Sequence, residues 1–397
     1  MTIPAAFEGM LVVDSDTHLT EPHDLWTKRA PGRLRDRLPR VEIVDGEPSW
    51  VVGRDLIVGR AGASGVVARD GQKSKGTDWF AWTIDEIHPG AHLVPERLQA
   101  MDQMGVWAQI VYPNAFGFAG TTMGKVDDDE LRMACVTIYN DAMAEMQEES
   151  GGRLLPMAAM PFWSIDAAVA EAKRCAGLGL RGINTTSAPH EFGAPDYAES
   201  AWNPFWETCV EYQMPVNFHI GAASSDMDWY GAVPWPSLAE DQKLGLGSAM
   251  MYLNNAKVLG NIIYSGVLER FPDLQVVSVE SAVGWLPFLF EALEYQMGEM
   301  PRSKSHLSLT PLEYFQRQMY ACFWFERKGI NHVIDRLGHD KLMFETDFPH
   351  PTCTFPNGLD IAAEALAAVD DASVRADLIG NNAARLYRIE APATTSA

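Results

Sequence analysis

Short apolar segments alternate with longer amphipathic segments along most of this chain, and this alternation restricts the possible folds more than any other feature. It is typical of strands and helices in a parallel α/β fold. The strand-like segments lie at 11–18, 108–112, 154–160, 182–184, 216–219, 274–280, 318–323 and 342–347. Because eight such units close into a ring more naturally than they divide into domains, we predict a (β/α)8 TIM barrel.

The 397 residues suit either one large barrel with insertions or two medium domains. We find no internal repeat and no interdomain linker, which favours one barrel domain over residues 1–397. An irregular stretch with basic clusters and a Gly-rich passage follows the first strand at 29–97. We interpret it as an insertion that covers one end of the barrel. The tail at 391–397 is predicted to be disordered.

The first strand ends in a group of polar residues, VVDSDTHLTEP at 12–22. Since side chains alternate along a strand, Asp14, Asp16 and His18 are expected to share one face. Ionisable groups gathered on one buried face are costly unless a cation lies among them. A divalent metal ion is the simplest such cation.

Polar residues also end later strands, where the active site of a barrel lies. His219 ends the fifth strand, Glu280 the sixth and Asp347 the eighth. Oxygen and nitrogen ligands from Asp16, His18, His219 and Asp347 suit zinc, manganese or iron. The sequence therefore predicts a divalent metal site at the carboxyl ends of the strands.

Strand alternation further predicts that Ser278 shares a face with Glu280, and that Glu345 shares one with Asp347. The inward-facing carboxylates would then be Asp14, Asp16, Glu280, Glu345 and Asp347, which exceed the charge of one divalent ion. Three explanations remain open. Some carboxyl groups have a raised pKa, some pair with a cation such as Arg181, or a second metal ion is present.

Five motifs stand out along the chain: DTH at 16–18, NFHIG around His219, VESAVGWLPF at 279–288, TDFPH at 346–350 and NNAARLY at 381–387. As a set they resemble the amidohydrolase-related family, in the branch with the aminocarboxymuconate-semialdehyde and γ-resorcylate decarboxylases. The resemblance covers the chain from about residue 11 to 388 except the insertion.

This resemblance implies a barrel enzyme that hydrolyses a small carboxylated or aromatic compound, or decarboxylates it without oxidation. Asp16, His18, His219 and Asp347 match the family's metal ligands. Glu280 occupies a strand-six position where many family decarboxylases have a histidine. We expect Asp347 or Glu280 to move the proton, with Glu280 as a further metal ligand, and His350 to support the site or contact substrate.

Two alternatives stay open at this stage. A dinuclear iron or manganese oxygenase could be built on the same barrel, with Glu280 and Asp14 or Glu345 as extra ligands. A non-catalytic barrel subunit, in a complex with an active paralogue, is the other alternative.

Net charge and composition narrow the partners. A formal charge of −22 argues against binding to nucleic acid or anionic membranes. The five cysteines show no CxxC spacing, which is typical of a reducing compartment. With no apparent signal peptide or spanning segment, we expect a cytoplasmic enzyme with a small-molecule substrate. By analogy with related barrels, we expect a homodimer.

Overall fold

A computed structural model describes residues 3–62, 64–223 and 235–391. Within these residues a ring of parallel strands forms the centre of the molecule. The ring strands are β1 (Val13–His18), β5 (Ala108–Tyr112), β6 (Leu154–Pro156) with β7 (Ala158–Ala159), β8 (Ile183–Asn184), β9 (Val216–His219), β10 (Val276–Val279), β11 (Met319–Phe323) and β12 (Leu342–Phe344).

Hydrogen bonds between the first and last strands close the ring. The Asp347 amide donates to the Asp16 carbonyl oxygen at 2.9 Å, and the His18 amide donates to the Phe348 carbonyl oxygen at 2.7 Å. Across the gap between β6 and β7, the Met157 amide donates to β5. The predicted barrel is thus present, with its first and last strands as neighbours.

Two apolar layers follow from strand alternation. Val13, Tyr112, Val277 and Met343 pack inside the ring, while their neighbours on the strands pack against the surrounding helices. At the amino ends of the strands, Tyr387 from the last helix donates to Asn217 inside the ring at 2.5 Å. That end of the barrel is therefore filled, and the opposite end carries the polar residues.

Helices follow most ring strands. They are α1 (Val94–Met104), α2 (Asp129–Glu149), α3 (Ile165–Gly177), α4 (Asn203–Glu211), α5 (Glu240–Met251), α6 (Asn254–Tyr264), α7 (Val267–Arg270), α8 (Leu286–Glu299), α9 (Pro311–Gln318), α10 (Ile330–Leu337), α11 (Gly358–Ala365), α12 (Ala372–Ala376) and α13 (Asn382–Tyr387).

One predicted element is wrong. The sequence suggests a loop at 222–249 and one helix at 250–270, but α5 begins within the predicted loop and the helix is divided into parts. Gly266 has a φ of +71°, a left-handed conformation that interrupts the helix between α6 and α7. The aromatic residues Trp229 and Tyr230 of that loop lie outside the described residues.

Between β1 and α1 the chain forms an antiparallel sheet, with β2 (Arg40–Val44), β3 (Glu47–Val52) and β4 (Leu56–Arg60). This segment returns to the barrel near the last strand, where the Val66 amide donates to the Pro349 carbonyl oxygen at 2.9 Å. Among the described residues no helix is both long and apolar enough to cross a lipid bilayer. The tail from residue 392 lies outside them.

Candidate metal centre

Five buried ionisable residues converge at the carboxyl ends of the strands, and we call them the metal cluster: Asp16, His18, His219, Glu280 and Asp347. The Nε2 atoms of His18 and His219 lie 3.1 Å apart. Asp16 places one oxygen 3.5 Å from His18 Nε2 and the other 3.6 Å from His219 Nε2. Glu280 Oε2 lies 3.2 Å from His219 Nε2, and Asp347 Oδ1 lies 3.6 Å from His18 Nε2. The structure thus brings together all five residues selected from the sequence.

Several carboxylate oxygens in the metal cluster are buried without a hydrogen-bond partner. They are both oxygens of Asp16, Oε2 of Glu280 and Oδ1 of Asp347. Burial, the largest cause, raises the pKa of all three carboxyl groups well above their usual values. It also lowers the pKa of His18. Unpaired carboxylate oxygens beside imidazole nitrogens fit a divalent cation, which would stabilise the charged carboxylates.

The metal cluster and the adjacent His350 contain two candidate ligand groups, one with Asp16 and His219 and the other with Asp347 and His350. Both groups contain His18 and Glu280. Because each histidine Nε2 binds one ion, these two overlapping groups describe a single centre.

Asp14 does not join this cluster, and the prediction that it shares a face with Asp16 is wrong. The register of β1 against β5 shifts between Asp14 and Thr17, as at a β-bulge. Val13 faces the ring interior, so Asp14 faces the surrounding helices. There it accepts hydrogen bonds from the Thr346 amide at 2.7 Å, the Thr346 hydroxyl at 2.5 Å and Gln109 Nε2 at 3.1 Å.

Ser278 and Glu280 do not share a face either. Ser278 points outward and accepts a hydrogen bond from Asn255 of α6 at 3.0 Å. Glu280 follows the last residue of β10 and has a φ of +51°. This left-handed conformation redirects its side chain into the barrel mouth. Asp347, with a φ of +59°, is also placed by a turn beyond its strand.

The remaining charges are arranged differently from the sequence expectation. Arg181 donates to the carbonyl oxygen of Arg388 at 2.5 Å, and no described ion pair joins it to the site. The buried cation is instead Arg97 of α1, which donates to Gln109 at 3.3 Å and to the His18 carbonyl oxygen. Glu345 faces inward as expected, and its Oε2 accepts from the Glu280 amide at 3.4 Å.

Phe118 and Thr352 contact the metal cluster but were not selected from the sequence. The Phe118 ring lies 5.2 Å from the His18 ring and 4.6 Å from the His219 ring. A Cβ atom at Gly221 would lie 2.9 Å from Phe118, so glycine leaves room for this ring. Thr352 donates to Asp347 Oδ2, and its hydroxyl lies 3.3 Å from Glu280 Oε1. Neither residue carries a motif that would reveal its role.

His350 supports the cluster from one side. Its ring stacks on His18 with centroids 3.5 Å apart, and its Nδ1 lies 3.1 Å from Asp347 Oδ1. Its Nε2 lies 2.6 Å from Asn114 Oδ1, which makes this nitrogen the donor. The hydrogen bond therefore fixes the tautomer of a neutral His350.

A cavity of about 380 Å³ opens beside the metal cluster. Glu280, His350 and Thr352 line it, whereas Asp16 and Asp347 are fully buried and do not. Aromatic and apolar side chains form much of the remaining wall: Trp79, Phe80, Phe118, Met251 and Tyr252. A ring-sized organic molecule could reach Glu280 from this cavity.

Comparison with known proteins agrees with this architecture. A protein-family model described as Amidohydrolase matches residues 13–389. An amidohydrolase from Mycobacterium avium subsp. paratuberculosis K-10 superposes with a TM-score of 0.73 and 18% identity, covering 98% of this chain and 100% of that chain. These matches confirm the predicted family resemblance and barrel fold.

Two decarboxylase structures are similar at the same coverage, 98% of this chain and 100% of theirs. A 5-carboxyvanillate decarboxylase from Novosphingobium aromaticivorans with bound manganese gives a TM-score of 0.66 at 17% identity. A dihydroxybenzoic acid decarboxylase from Polaromonas sp. JS666, also with bound manganese, gives 0.59 at 16% identity. At these identities the similarity concerns the fold.

Proposed function

Because the chain belongs to the amidohydrolase family, we propose that it is a divalent-metal-dependent enzyme that decarboxylates a small aromatic acid without oxidation. The observation that carries the proposal is the group of unpartnered carboxylate oxygens around two imidazole nitrogens, beside an aromatic cavity. The manganese-containing decarboxylases among similar folds support the choice of reaction.

Asp16, His18, His219 and Asp347 would hold the ion. Bound there, a divalent ion would polarise an oxygen atom of the substrate. Hydrogen bonds position both imidazoles, since His18 Nδ1 lies 3.3 Å from the Pro113 carbonyl oxygen and His219 Nδ1 lies 2.7 Å from that of Ile220. With Nδ1 as donor, each Nε2 is a free ligand atom.

Glu280 is the residue to which we assign proton transfer. Decarboxylation breaks the bond between a ring carbon and the carboxylate, releases CO₂ and adds a proton to that carbon. Glu280 belongs to the metal cluster and also borders the cavity. Burial and then the charge of Asp347 raise the pKa of Glu280, which favours a carboxyl group that carries a proton.

Metal analysis and a decarboxylation assay test this function together. Protein purified without chelator is expected to contain about one manganese, zinc or iron ion per chain. With manganese it should release CO₂ from at least one member of a panel of hydroxybenzoates. A metal-loaded protein that releases CO₂ from none of them would contradict the proposal. Two iron ions per chain with O₂ consumption would favour the dinuclear oxygenase.

Two finer expectations belong to the same proposal. We propose that the enzyme is a cytoplasmic homodimer, on the basis of its composition and by analogy with related barrels. Large apolar side chains exposed on α8, Phe288 and Tyr295, are available for contact between subunits. Sedimentation of purified protein at micromolar concentration would test this expectation, and a monomer would contradict it.

A further inference from the structure

One wall of the cavity comes from the insertion between β1 and α1. Trp79 and Phe80 stack with ring centroids 4.0 Å apart, and both face the cavity. Arg60, at the end of β4, donates to the carbonyl oxygens of Phe80 at 2.7 Å and Ala81 at 3.1 Å. The insertion sheet thus fixes an aromatic pair in the wall of the cavity that Glu280 also lines.

Cations are scarce in this cavity. Arg60 is the only lysine or arginine among the described residues that line it. Its guanidinium is held by two carbonyl oxygens and lies 3.0 Å from Glu47 Oε2. The segment 224–234, which the structure does not describe, contains no lysine, arginine or histidine. The described lining of the cavity therefore offers little to pair with an anion distant from the metal cluster.

We propose that the cavity selects aromatic substrates with one acidic group, which meets the metal cluster, and discriminates against a second carboxylate at the far end of the ring. This inference rests on the proposed function. Trp79 and Phe80 would pack on the ring, as aromatic pairs do. A second carboxylate at the far end of the ring would lose its hydration without gaining a partner.

We call this discrimination against a second carboxylate the charge rule. A matched pair of ligands tests it by binding alone, without turnover. The first is 3-methoxy-4-hydroxy-5-nitrobenzoic acid, found in the Novosphingobium enzyme structure. The second, 2-methoxy-6-nitrophenol, is the same ring without the carboxylate. By calorimetry on manganese-loaded protein, we expect the phenol to bind at least about tenfold more tightly. Equal affinities, tighter binding of the acid, or no binding of either compound would overturn the inference.

The outcome is separable from the fate of the proposed function, because CO₂ release and ligand affinity are independent measurements. An enzyme that decarboxylates hydroxybenzoates but binds the acid more tightly would keep its function and lose the charge rule. A protein that binds the phenol preferentially but releases no CO₂ would keep the charge rule and lose the proposed function.

Wall variants test the role of the insertion. Trp79→Ala is expected to weaken binding of the phenol about tenfold and to leave metal content unchanged. Tyr212→Ala, which removes an aromatic ring 39% exposed at the end of α4, is the matched control and should not change affinity. Equal affinities of the Trp79→Ala variant and the wild type would contradict the proposed wall.

Variants of Arg60 and Ser248 distinguish two roles, support of the aromatic wall and recognition of a charged ligand. If Arg60 only holds the wall, Arg60→Met weakens both ligands by the same factor. A selective loss of the acid would instead show that Arg60 binds a distant carboxylate, against the proposal. Ser248→Lys places a cation on the cavity lining and is expected to improve binding of the acid about tenfold relative to the phenol. An unchanged ratio would count against the charge rule.

Discussion

Two buried carboxylates on the same strand have opposite environments. Asp14, in the layer between the barrel and its helices, accepts three hydrogen bonds from Thr346 and Gln109. Asp16, in the barrel mouth, is equally buried, and neither of its oxygens has a hydrogen-bond partner. Burial alone does not distinguish them. Asp14 is thus satisfied by protein groups, whereas Asp16 is satisfied only by a cation or a proton.

The largest expected effect tests the barrel mouth. Asp16→Asn removes a charge that has no partner except the ion, so metal affinity should fall by at least about 100-fold and activity with it. The fold should remain, since Asp16 makes no side-chain hydrogen bond to the protein. Elemental analysis measures the metal content, and circular dichroism shows whether the variant is folded. Full metal content in a folded variant would remove the distinction between the two aspartates.

Asp14→Ala tests the layer outside the barrel. The change leaves the Thr346 amide, the Thr346 hydroxyl and Gln109 Nε2 without their acceptor. We expect the free energy of unfolding to fall by about 3–5 kcal/mol with metal content preserved in the folded protein. Asp14→Asn, which keeps one acceptor oxygen, should recover part of this loss. Metal loss from a variant that stays folded would contradict the assignment.

Glu326 is intermediate between Asp14 and Asp16, because one of its carboxylate oxygens has hydrogen-bond partners and the other has none. Its Oε1 accepts from the Val283 and Gly284 amides at 2.9 and 2.7 Å, while its Oε2 has no partner. Burial raises the pKa of Glu326 from 4.5 to about 7 despite these two amides. A carboxyl group with a raised folded-state pKa binds protons more strongly when folded, so its stabilising effect is complete at low pH and declines between about pH 4.5 and 7.

Glu326→Gln should remove this pH dependence. We expect the difference in unfolding free energy between the wild type and the variant to decline by on the order of 2 kcal/mol from pH 5 to 7.5. Urea unfolding of both proteins across this range is the measurement. A difference that stays constant with pH would mean that Glu326 remains ionised in the folded protein.

Thr352 gives the smallest expected effect. Its hydroxyl donates to Asp347 and lies near Glu280, so it orients both carboxyl groups. It is neither a metal ligand nor a proton donor in the proposed reaction. Thr352→Val should lower kcat by about fivefold to tenfold and leave metal content unchanged. Thr352→Ser, which keeps the hydroxyl, is the control and should retain most of the activity. Equal losses in both variants would assign the effect to the methyl group.

Local sequence patterns predicted the elements of the barrel well. Strands Ala108–Tyr112 and Val216–His219 have their predicted bounds, because apolar periodicity depends on neighbouring residues. Patterns failed where the backbone leaves regular geometry, at the register shift after Asp14 and at the positive φ of Glu280. No alternation rule anticipates either change.

The residues of the candidate site were predicted to different extents. Strand ends indicated the metal cluster, since barrel strands present their carboxyl ends to one mouth. Phe118, Thr352 and Trp79 lie in connecting segments, and only the folded backbone brings them to the cavity. Arg97 was missed because a basic residue on a surface helix gives no indication that it turns inward.

The join between the first and last strands affects how the protein matures. Asp16 and His18 are synthesised near the start of the chain, and Asp347 is synthesised only after the seven other strands of the ring. A nascent polypeptide therefore lacks a complete set of ligands until its final strand has emerged from the ribosome. An ion bound by Asp16, His18 and Asp347 would then link the first and last parts of the barrel.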